Sequence, residues 1–200
     1  VEQVATPEGY ARNPELVINF YNERRKQLLE VRPNDGHLGL AELEADFNVT
    51  VVTQNIDNLH ERAGSRRIIH LHGELTKVCS SRDPYNPHYI KELKPDEYEV
   101  KFGDKAGDGT QLRPFIVWFG EPVPEIETAV NYVEKADIFV IIGTSMNVYP
   151  AAGLLNYVPR EAEVYLIDPK PVDVHSMRRI HVIQKGASEG VRELRSLLQS

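Results

Sequence analysis

The chain has 200 residues, of which 41% are hydrophobic and 26% are charged. These proportions are typical of globular proteins and exclude a disordered, collagen-like or coiled-coil chain. The length fits one domain, or a main domain with a smaller lobe. With 30 acidic and 23 basic residues the net charge is −7, which excludes a chain-wide basic surface for nucleic acid or anionic membrane.

The cysteine content and the length of the apolar runs indicate the cellular compartment of the protein. The one cysteine, Cys79, excludes an intramolecular disulfide and an all-cysteine metal site. The segment from Val1 to Tyr10 has no signal-peptide pattern, and no stretch approaches the roughly 18 apolar residues of a membrane span. We therefore expect a cytoplasmic protein without nucleic-acid or membrane partners.

Two helices are the first predicted elements in chain order. Pro14 begins a run of apolar residues at helical spacing that predicts a helix to about Val31, and Pro33 stops it. Asn34 is the predicted N-cap of a second helix that runs to about Phe47.

Short apolar or β-branched runs then alternate with helical segments. The predicted strands lie at 50–53, 68–73, 115–119, 137–145, 163–168 and 181–183. The predicted helices after residue 50 are a single turn that ends at Gly64, and segments at 125–136 and 190–199. This alternation predicts an α/β fold with a Rossmann-like parallel sheet and helices on both faces. Between 74 and 113 the composition shifts to Pro, Gly, Asp, Lys and Tyr, which predicts a small inserted lobe.

Three polar clusters follow predicted strands, where ligands of open parallel sheets bind. The first is Gln54, Asn55 and Asp57, directly after the strand at 50–53. Amides and a carboxylate can hydrogen-bond a ribose or a carboxamide. A turn followed by a helix that Asp57 caps would give the same pattern.

The second cluster is His70 and His72, before Gly73. Histidine has an unperturbed pKa near neutrality, so a histidine at a strand end is a candidate general base. The same pattern is also typical of a hydrogen-bonded core histidine or of a two-histidine metal pair.

The third cluster is Gly143, Thr144 and Ser145, at the end of the strand at 137–145. Small residues there let backbone N–H groups and hydroxyls approach a phosphate or ribose. A tight strand-to-helix turn without a ligand would look similar. The segment contains neither a GxGxxG nor a GxxxxGK[ST] pattern.

Together the clusters resemble the sirtuin family of NAD-dependent protein deacylases. The resemblance rests on four segments in order: TQNIDNLHERAG, HLHGEL, VWFGE and GTSMNVYPAAG. It extends over the chain except for about 79–112. It implies one sirtuin catalytic domain over 1–200, incomplete at its N-terminus. Its parts are a helical small-lobe segment at 14–48, a degenerate zinc-ribbon-like insertion at 74–113, and a Rossmann-like NAD-binding core at 49–73 and 114–200.

The resemblance also implies roles for individual residues. His72 is the implied catalytic base. The implied NAD contacts are Gln54, Asn55, Asp57, Gly143, Thr144, Ser145, Asp168 and Ala187. The implied groove for the substrate peptide, where the acyl-lysine backbone pairs as an added strand, comprises Val117, Phe119, Gly120, Glu121, Met146 and Val148. In the family, NAD is a consumed co-substrate: the acyl group of an acyl-lysine leaves on ADP-ribose, with nicotinamide and free lysine as co-products.

Tyr21 and Arg24 give a clue to the acyl group. They are three residues apart, so on a helix they share a face, where a phenol and a guanidinium can hold a carboxylate. The pair resembles the Tyr-x-x-Arg arrangement of sirtuins that prefer succinyl, malonyl and glutaryl lysine. Outside this family, Arg24 would belong to a solvated helix face and Tyr21 to packing.

The sequence departs from the family pattern in two places. Most sirtuins hold a structural zinc with two pairs of cysteines, whereas only Cys79 lies in that region here, so we expect a lobe without zinc. The family's first strand and Gly-rich NAD loop do not precede VEQVATPEGY, and we expect this chain to be a fragment of a longer protein.

Two other functions are compatible with the same fold. One is a non-catalytic module that binds ADP-ribose or acyl-lysine, although such a module has no need of His72. The other is an NAD glycohydrolase or ADP-ribosyltransferase, in which Tyr21 and Arg24 would have no role.

Overall fold

A computed structural model of the chain describes residues 1–144, 151–172 and 178–200. The α-helices are α1 (Pro7–Arg12), α2 (Pro14–Leu28), α3 (Asp35–Glu42), α4 (Leu59–Ala63), α5 (Ile126–Val133), α6 (Ala151–Leu154) and α7 (Ala187–Gln199). The strands are β1 (Val51–Thr53), β2 (Ile68–His70), β3 (Gly73–Ser80), β4 (Lys91–Glu92), β5 (Leu112–Ile116), β6 (Ile138–Ile142), β7 (Glu163–Ile167) and β8 (His181–Ile183). None of these helices combines the length and apolar character that a membrane crossing requires.

The chain divides into two compact units. Unit 1 consists of Val1–Arg32, Val52–Asn58 and His70–Pro124, and unit 2 of Pro33–Val51, Leu59–Ile69 and Glu125–Ser200. The segments that the sequence suggested do not coincide with these units, because α2 lies in unit 1 and α3 in unit 2.

Unit 1 is built on a three-stranded antiparallel sheet in the order β4-β3-β5. Helix α2 packs against this sheet, and its fully buried Ile18 contacts Val78 and Val100. The polar face of α2 also enters the core: buried Arg25 donates from Nε to the carbonyl of Leu75 (2.8 Å) and from Nη1 to that of Tyr98 (3.2 Å). Burial lowers the pKa of Arg25 to about 10.

Unit 2 is built on the parallel sheet β6-β7-β8. Fully buried Ile167 on β7 packs with Leu43, Ile183, Val191 and Leu194, so the sheet and α7 share one core. The parallel sheet and its helices agree with the predicted α/β class. The predicted N-cap is also confirmed: Asn34 Oδ1 accepts the N–H of His37, whose Nδ1 accepts the N–H of Asn34.

The prediction for the middle of the chain is wrong in its details. The strand expected at 115–119 runs instead over Leu112–Ile116 and is antiparallel to β3, in unit 1. It ends there because a turn follows, in which the Glu121 carboxylate takes the Trp118 N–H (2.8 Å) and the Glu121 N–H donates to the Trp118 carbonyl (3.0 Å). The eight-residue strand β3 lies mostly within 74–113, which the sequence predicts to be an irregular lobe. The strand was not predicted because Glu74 and Lys77 interrupt its apolar pattern.

Helices at the start of the chain also differ from expectation. Helix α1 was not among the predicted helices. Its N-cap is Thr6, whose Oγ1 accepts the N–H of Gly9 (2.9 Å). Helix α2 ends at Leu28 rather than at Val31, and α3 ends at Glu42 before a short 3₁₀ turn over Leu43–Ala45.

Helix α7 packs closely against the parallel sheet at Gly190. A Cβ atom added there would lie 2.2 Å from Cγ2 of Ile167. We predict that Gly190→Ala lowers the free energy of unfolding by about 1–3 kcal/mol through overpacking. In an exposed helix the same change would raise stability by roughly 0.5–1 kcal/mol, so the sign of the effect tests the packing.

Urea denaturation measures this change, with Ser196→Ala as the control on the exposed side of the same helix. The control should stay within about 0.5 kcal/mol of the parent. Equal or higher stability of Gly190→Ala would contradict the observed packing.

Candidate functional site

The predicted site residues fall in both units, and each group is described within its own unit. In unit 1, the amide cluster begins where β1 ends. Thr53 is buried, and its Oγ1 accepts the N–H of Asn55 (3.0 Å), which turns the chain out of the strand. Asn55 is exposed, whereas Gln54 and Asp57 are half-buried. The backbone is tied further by the Leu75 N–H, which donates to the carbonyl of Ile56 (2.8 Å).

The two histidines of the second cluster have different environments. His70 is buried; its Nδ1 lies 3.0 Å from the Asn55 carbonyl oxygen, and its Nε2 lies 3.9 Å from Oε1 of Glu74. His70 is therefore the hydrogen-bonded core histidine that the sequence left as an alternative. His72 is half-buried, and its carbonyl accepts the N–H of Val117 (2.9 Å).

Gly73 explains how the backbone can turn immediately after His72. Its φ is +87°, and a Cβ atom there would lie 2.1 Å from the carbonyl oxygen of Phe115. Only glycine fits this close approach of β3 to β5. The main chain at His72 is thus fixed by Gly73 on one side and by the Leu71 N–H, which donates to the Thr53 carbonyl (3.0 Å), on the other.

The predicted peptide-binding segment in unit 1 forms a turn. Phe119 is 68% exposed, and its N–H donates to the carbonyl of Ala5 (3.0 Å). Gly120 has a φ of +91°. The Glu121 carboxylate faces protein rather than solvent, because both of its oxygens accept hydrogen bonds from Arg113 (3.1 Å each).

Tyr21 and Arg24 make different contacts on α2. Tyr21 is 4% exposed; its phenol donates to the carbonyl of Val4 (2.9 Å) and accepts from Nε1 of Trp118 (3.1 Å). Burial raises the pKa of Tyr21. Arg24 is exposed, and its guanidinium lies 5.1 Å from the centre of the Phe20 ring.

In unit 2 the predicted NAD contacts meet at the carboxyl edge of the parallel sheet. Gly143 follows β6 with a φ of +64° and donates its N–H to the Ile167 carbonyl (3.1 Å). A Cβ atom added there would have no atom of the described residues within 4 Å. Asp168 follows β7; its Oδ1 accepts the N–H of Lys170 (2.8 Å). Ala187 is the first residue of α7, which follows β8. Such an edge is where parallel sheets bind ligands.

Thr144 follows Gly143 and is half-buried. The other residues predicted after this strand, Ser145, Met146 and Val148, lie outside the described residues.

Around Cys79, the lobe is held by hydrogen bonds between polar side chains. Cys79 is fully buried, and its Sγ lies 3.7 Å from the carbonyl oxygen of Pro114. The adjacent Ser80 donates from Oγ to Asp108, whose carboxylate also accepts from the hydroxyl of Thr110 (2.7 Å). These bonds lower the pKa of Asp108 to about 2 and join the end of β3 to the turn before β5.

Comparison with known proteins identifies the family. A model of the Sir2 family matches residues 1–150. The chain belongs to the Sir2 family. An NAD-dependent protein deacylase of Bacteroides thetaiotaomicron is 84% identical over 198 residues, which are 99% of this Sir2 chain and 85% of that protein. An NAD-dependent protein deacylase of Helicobacter pylori is 47% identical over 194 residues, 97% of this chain and 82% of that protein.

Solved structures agree with this assignment. A mutant Sir2 homologue in complex with ADP-ribose has a TM-score of 0.82 and 34% identity, covering 99% of this chain and 81% of that one. A Sir2 homologue in complex with NAD has a TM-score of 0.80 and 34% identity, with coverages of 98% and 78%. The predicted Rossmann-like sirtuin fold is therefore confirmed.

Two arginines of this Sir2 chain were not among the predicted site residues. Arg25 and Arg113 are each 4% exposed and bind backbone carbonyls, so they organise the surroundings of Tyr21 and Glu121. Arg113 had a signal in the sequence, since it is the one charged residue in the strand LRPFI. Arg25 had none, because it stands beside the exposed Arg24.

The buried thiol of Cys79 leads to a prediction. Burial raises its pKa to about 12, so the thiol stays protonated, and therefore a poor nucleophile, at ordinary pH. We expect no labelling of the native protein by DTNB at pH 8 and one equivalent of labelling after unfolding in guanidinium. Rapid stoichiometric labelling of the native protein would contradict the buried position.

Proposed function

We propose that this Sir2 chain is an NAD-dependent protein-lysine deacylase that prefers acidic acyl groups, succinyl and malonyl, over acetyl. The observation that carries the activity is the 84% identity, over nearly the whole chain, to a protein named as an NAD-dependent protein deacylase. The acyl preference rests on Tyr21 and Arg24 of α2. The proposed partners are proteins or peptides that carry acyl-lysine.

His72 is the proposed catalytic base. The half-buried ring stands on a backbone fixed by the bond from Val117, which suits a group that must accept a proton at a defined position. In the proposed reaction the bond between nicotinamide and the ribose breaks, and the amide oxygen of the acyl-lysine attacks the freed ribose carbon. His72 accepts the proton of a ribose hydroxyl as that oxygen attacks the acyl carbon. The bond between the acyl carbon and the lysine nitrogen then breaks, with a proton going to the nitrogen, and one water molecule adds to the acyl carbon. When the bond from that carbon to the first ribose oxygen breaks, the products are nicotinamide, free lysine and 2′-O-acyl-ADP-ribose.

Residues of each unit are proposed to contact NAD. In unit 1, Gln54, Asn55 and Asp57 offer amide and carboxylate groups for the nicotinamide and its ribose. In unit 2, the proposed contacts are Gly143, Thr144, Ser145, Asp168 and Ala187. Among the described residues, no atom lies within 4 Å of where a Cβ of Gly143 would be, which supports close approach of a ligand to the backbone there.

The proposed contacts with the peptide are Val117, Phe119, Gly120 and Glu121, together with Met146 and Val148. The exposure of Phe119 supports its part in this set. Glu121 has its carboxylate bound by Arg113, so its proposed contribution is the shape of the turn.

Arg24 and Tyr21 differ in what binding a carboxylate would require. The Arg24 Nη1 donates to Oε1 of Gln27 (3.2 Å) in an exposed contact, which costs little to exchange. The Tyr21 phenol has one proton, and it is donated to the carbonyl of Val4. Tyr21 must therefore release Val4 before it can donate to an acyl carboxylate.

An assay of product formation tests the activity. With NAD and a succinyl-lysine peptide we expect nicotinamide, free lysine peptide and O-succinyl-ADP-ribose in equal amounts. His72→Asn should reduce this rate at least about 100-fold, whereas His88→Asn, on an exposed turn, should not. NAD consumption without acyl peptide would favour a glycohydrolase, and binding without consumption would favour a binding module.

Substitution of Arg24 tests the acyl preference. Arg24→Met should reduce kcat/KM for the succinyl peptide at least about tenfold, because a bound carboxylate loses its charge partner. The acetyl peptide has no carboxylate and should be affected much less. Lys26→Met, which removes another exposed cation of α2, is the matched control. Equal losses on both peptides would refute the preference.

The lobe at 74–113 is proposed to fold without zinc. The bonds of Ser80, Asp108 and Thr110 support this proposal, as does the single cysteine of the chain, because a structural zinc site needs four ligands, most of them cysteine or histidine. Stoichiometric zinc in the purified protein, measured by mass spectrometry of metals, would refute it. A cytoplasmic location and the absence of nucleic-acid and membrane partners stay predictions.

A further inference from the structure

Arg113 of β5 is buried in unit 1 with a specific acceptor for each edge of its guanidinium. Nη1 and Nη2 donate to the two oxygens of Glu121 (3.1 Å each), Nη2 also to the carbonyl of Ile116 (2.8 Å), and Nε to that of Pro114 (3.3 Å). The guanidinium carbon lies 3.8 Å from the centre of the Trp118 ring. A planar cation is therefore held by a fork of two bonds and by an aromatic face.

This arrangement closes the turn at 118–121. Oε1 of Glu121 binds Arg113 and also accepts the backbone N–H of Trp118 (2.8 Å). The Glu121 N–H donates to the Trp118 carbonyl (3.0 Å). The exposed Phe119 lies inside this closed turn, so its position depends on the ion pair beneath it.

The same network reaches the proposed acyl-recognition tyrosine. The indole Nε1–H of Trp118 donates to the Tyr21 phenol (3.1 Å), and the phenol donates to the carbonyl of Val4 (2.9 Å). The ring of Tyr10 lies against Trp118, with centroids 5.3 Å apart. Trp118 is 2% exposed, and its hydrogen bond connects the phenol oxygen of Tyr21 to the turn at 118–121.

We propose that Arg113 is a positioning residue for the acyl-peptide substrate: it holds the turn at 118–121 and, through Trp118, the phenol of Tyr21. This inference rests on the proposed function. A buried ion pair gives little net stability compared with apolar residues of similar size. An apolar pair could fill the space of Arg113 and Glu121, but it could not bind the Trp118 N–H and the Ile116 carbonyl. The pair therefore determines geometry, which is what a binding turn requires.

Trp118 provides a direct readout, because it is the one tryptophan of the chain. Its emission reports on the network without any assay of activity. Glu121→Gln keeps the shape of the side chain but removes its charge, and Arg113→Lys keeps the charge but removes the fork. We expect both variants to shift Trp118 emission to longer wavelength. Glu97→Gln, in the exposed pair of Lys91 and Glu97, is the matched control and should not shift it.

Kinetics separate positioning from a general loss of structure. Both variants should raise KM for the acyl peptide about tenfold, whereas KM for NAD should change less than about twofold. The fold decrease in kcat should be smaller than the fold increase in KM for the peptide. Melting temperatures identify any variant that has simply lost its fold, and Glu121→Gln remains informative if Arg113→Lys does not fold. Trp118→Phe keeps a ring and removes the indole donor, so the ratio of succinyl to acetyl kcat/KM should fall.

Peptide affinity distinguishes a failure of this inference from a failure of the proposed function. If the wild-type chain does not turn over NAD, the function fails, and calorimetric titration with succinyl-lysine peptide still decides the positioning role. Weaker peptide binding by Glu121→Gln than by Glu97→Gln supports it. Unchanged peptide affinity or KM in a folded Glu121→Gln variant would overturn the positioning role of Arg113. Equal increases in KM for peptide and for NAD would also overturn it. A wild-type chain that binds no peptide would do the same.

Discussion

A guanidinium that is buried away from water must find acceptors for its N–H groups, and unit 1 meets this requirement twice. Arg25 donates to one carbonyl of β3 and to the carbonyl of Tyr98, so it joins α2 to β3 and to the segment around Tyr98. Arg113 donates hydrogen bonds to the Glu121 carboxylate and to the carbonyl of Ile116, and thereby fixes where β5 ends and the turn at 118–121 begins. Because removing one partner would leave a buried charge unpaired, the loops that supply these acceptors have little freedom to move apart.

Within its described residues, unit 2 relies on close backbone approach between its elements. The glycines of α3 and α7 replace side chains where elements pack: a Cβ on Gly39 would lie 2.7 Å from Cγ1 of Val191, and one on Gly190 would meet Ile167. Because these glycines have no side chain, the elements can approach closely, and the small three-stranded parallel sheet shares a continuous core with α7. They also bring the ends of β6 and β7 and the start of α7 to one edge, where the candidate NAD contacts lie.

The candidate site of this Sir2 chain contains both fixed and exchangeable groups. His70 is buried, and its Nδ1 lies 3.0 Å from the carbonyl oxygen of Asn55. The His72 ring is less buried, and its backbone carbonyl is hydrogen-bonded by Val117. Arg24, in contrast, is exposed and contacts its helix neighbours Gln27 and Phe20. Tyr21 lies between these extremes, since its single proton is already used by Val4. Under the proposed function, a substrate carboxylate would meet an exposed cation and a phenol that must change its partner.

The sequence by itself determined the features that a few neighbouring residues encode. Asn34 as an N-cap, the helical turn that ends at Gly64 and the apolar strand before Gly143 all follow from local caps, periodicity and turn chemistry. The order of the polar segments was enough to reach the sirtuin family and its α/β fold. The roles of the individual site residues remain predictions.

Only the tertiary structure decided which residues far apart in sequence meet. The antiparallel pairing of Gly73 with Ile116 and the fork from Arg113 to Glu121 leave no periodic pattern. The local HxH pattern does not distinguish His70 from His72, whereas in the structure His70 is buried and close to the Asn55 carbonyl and His72 is half-buried. The physical reason is that burial and long-range pairing depend on the packing of the whole unit, whereas local propensity depends only on the nearest residues.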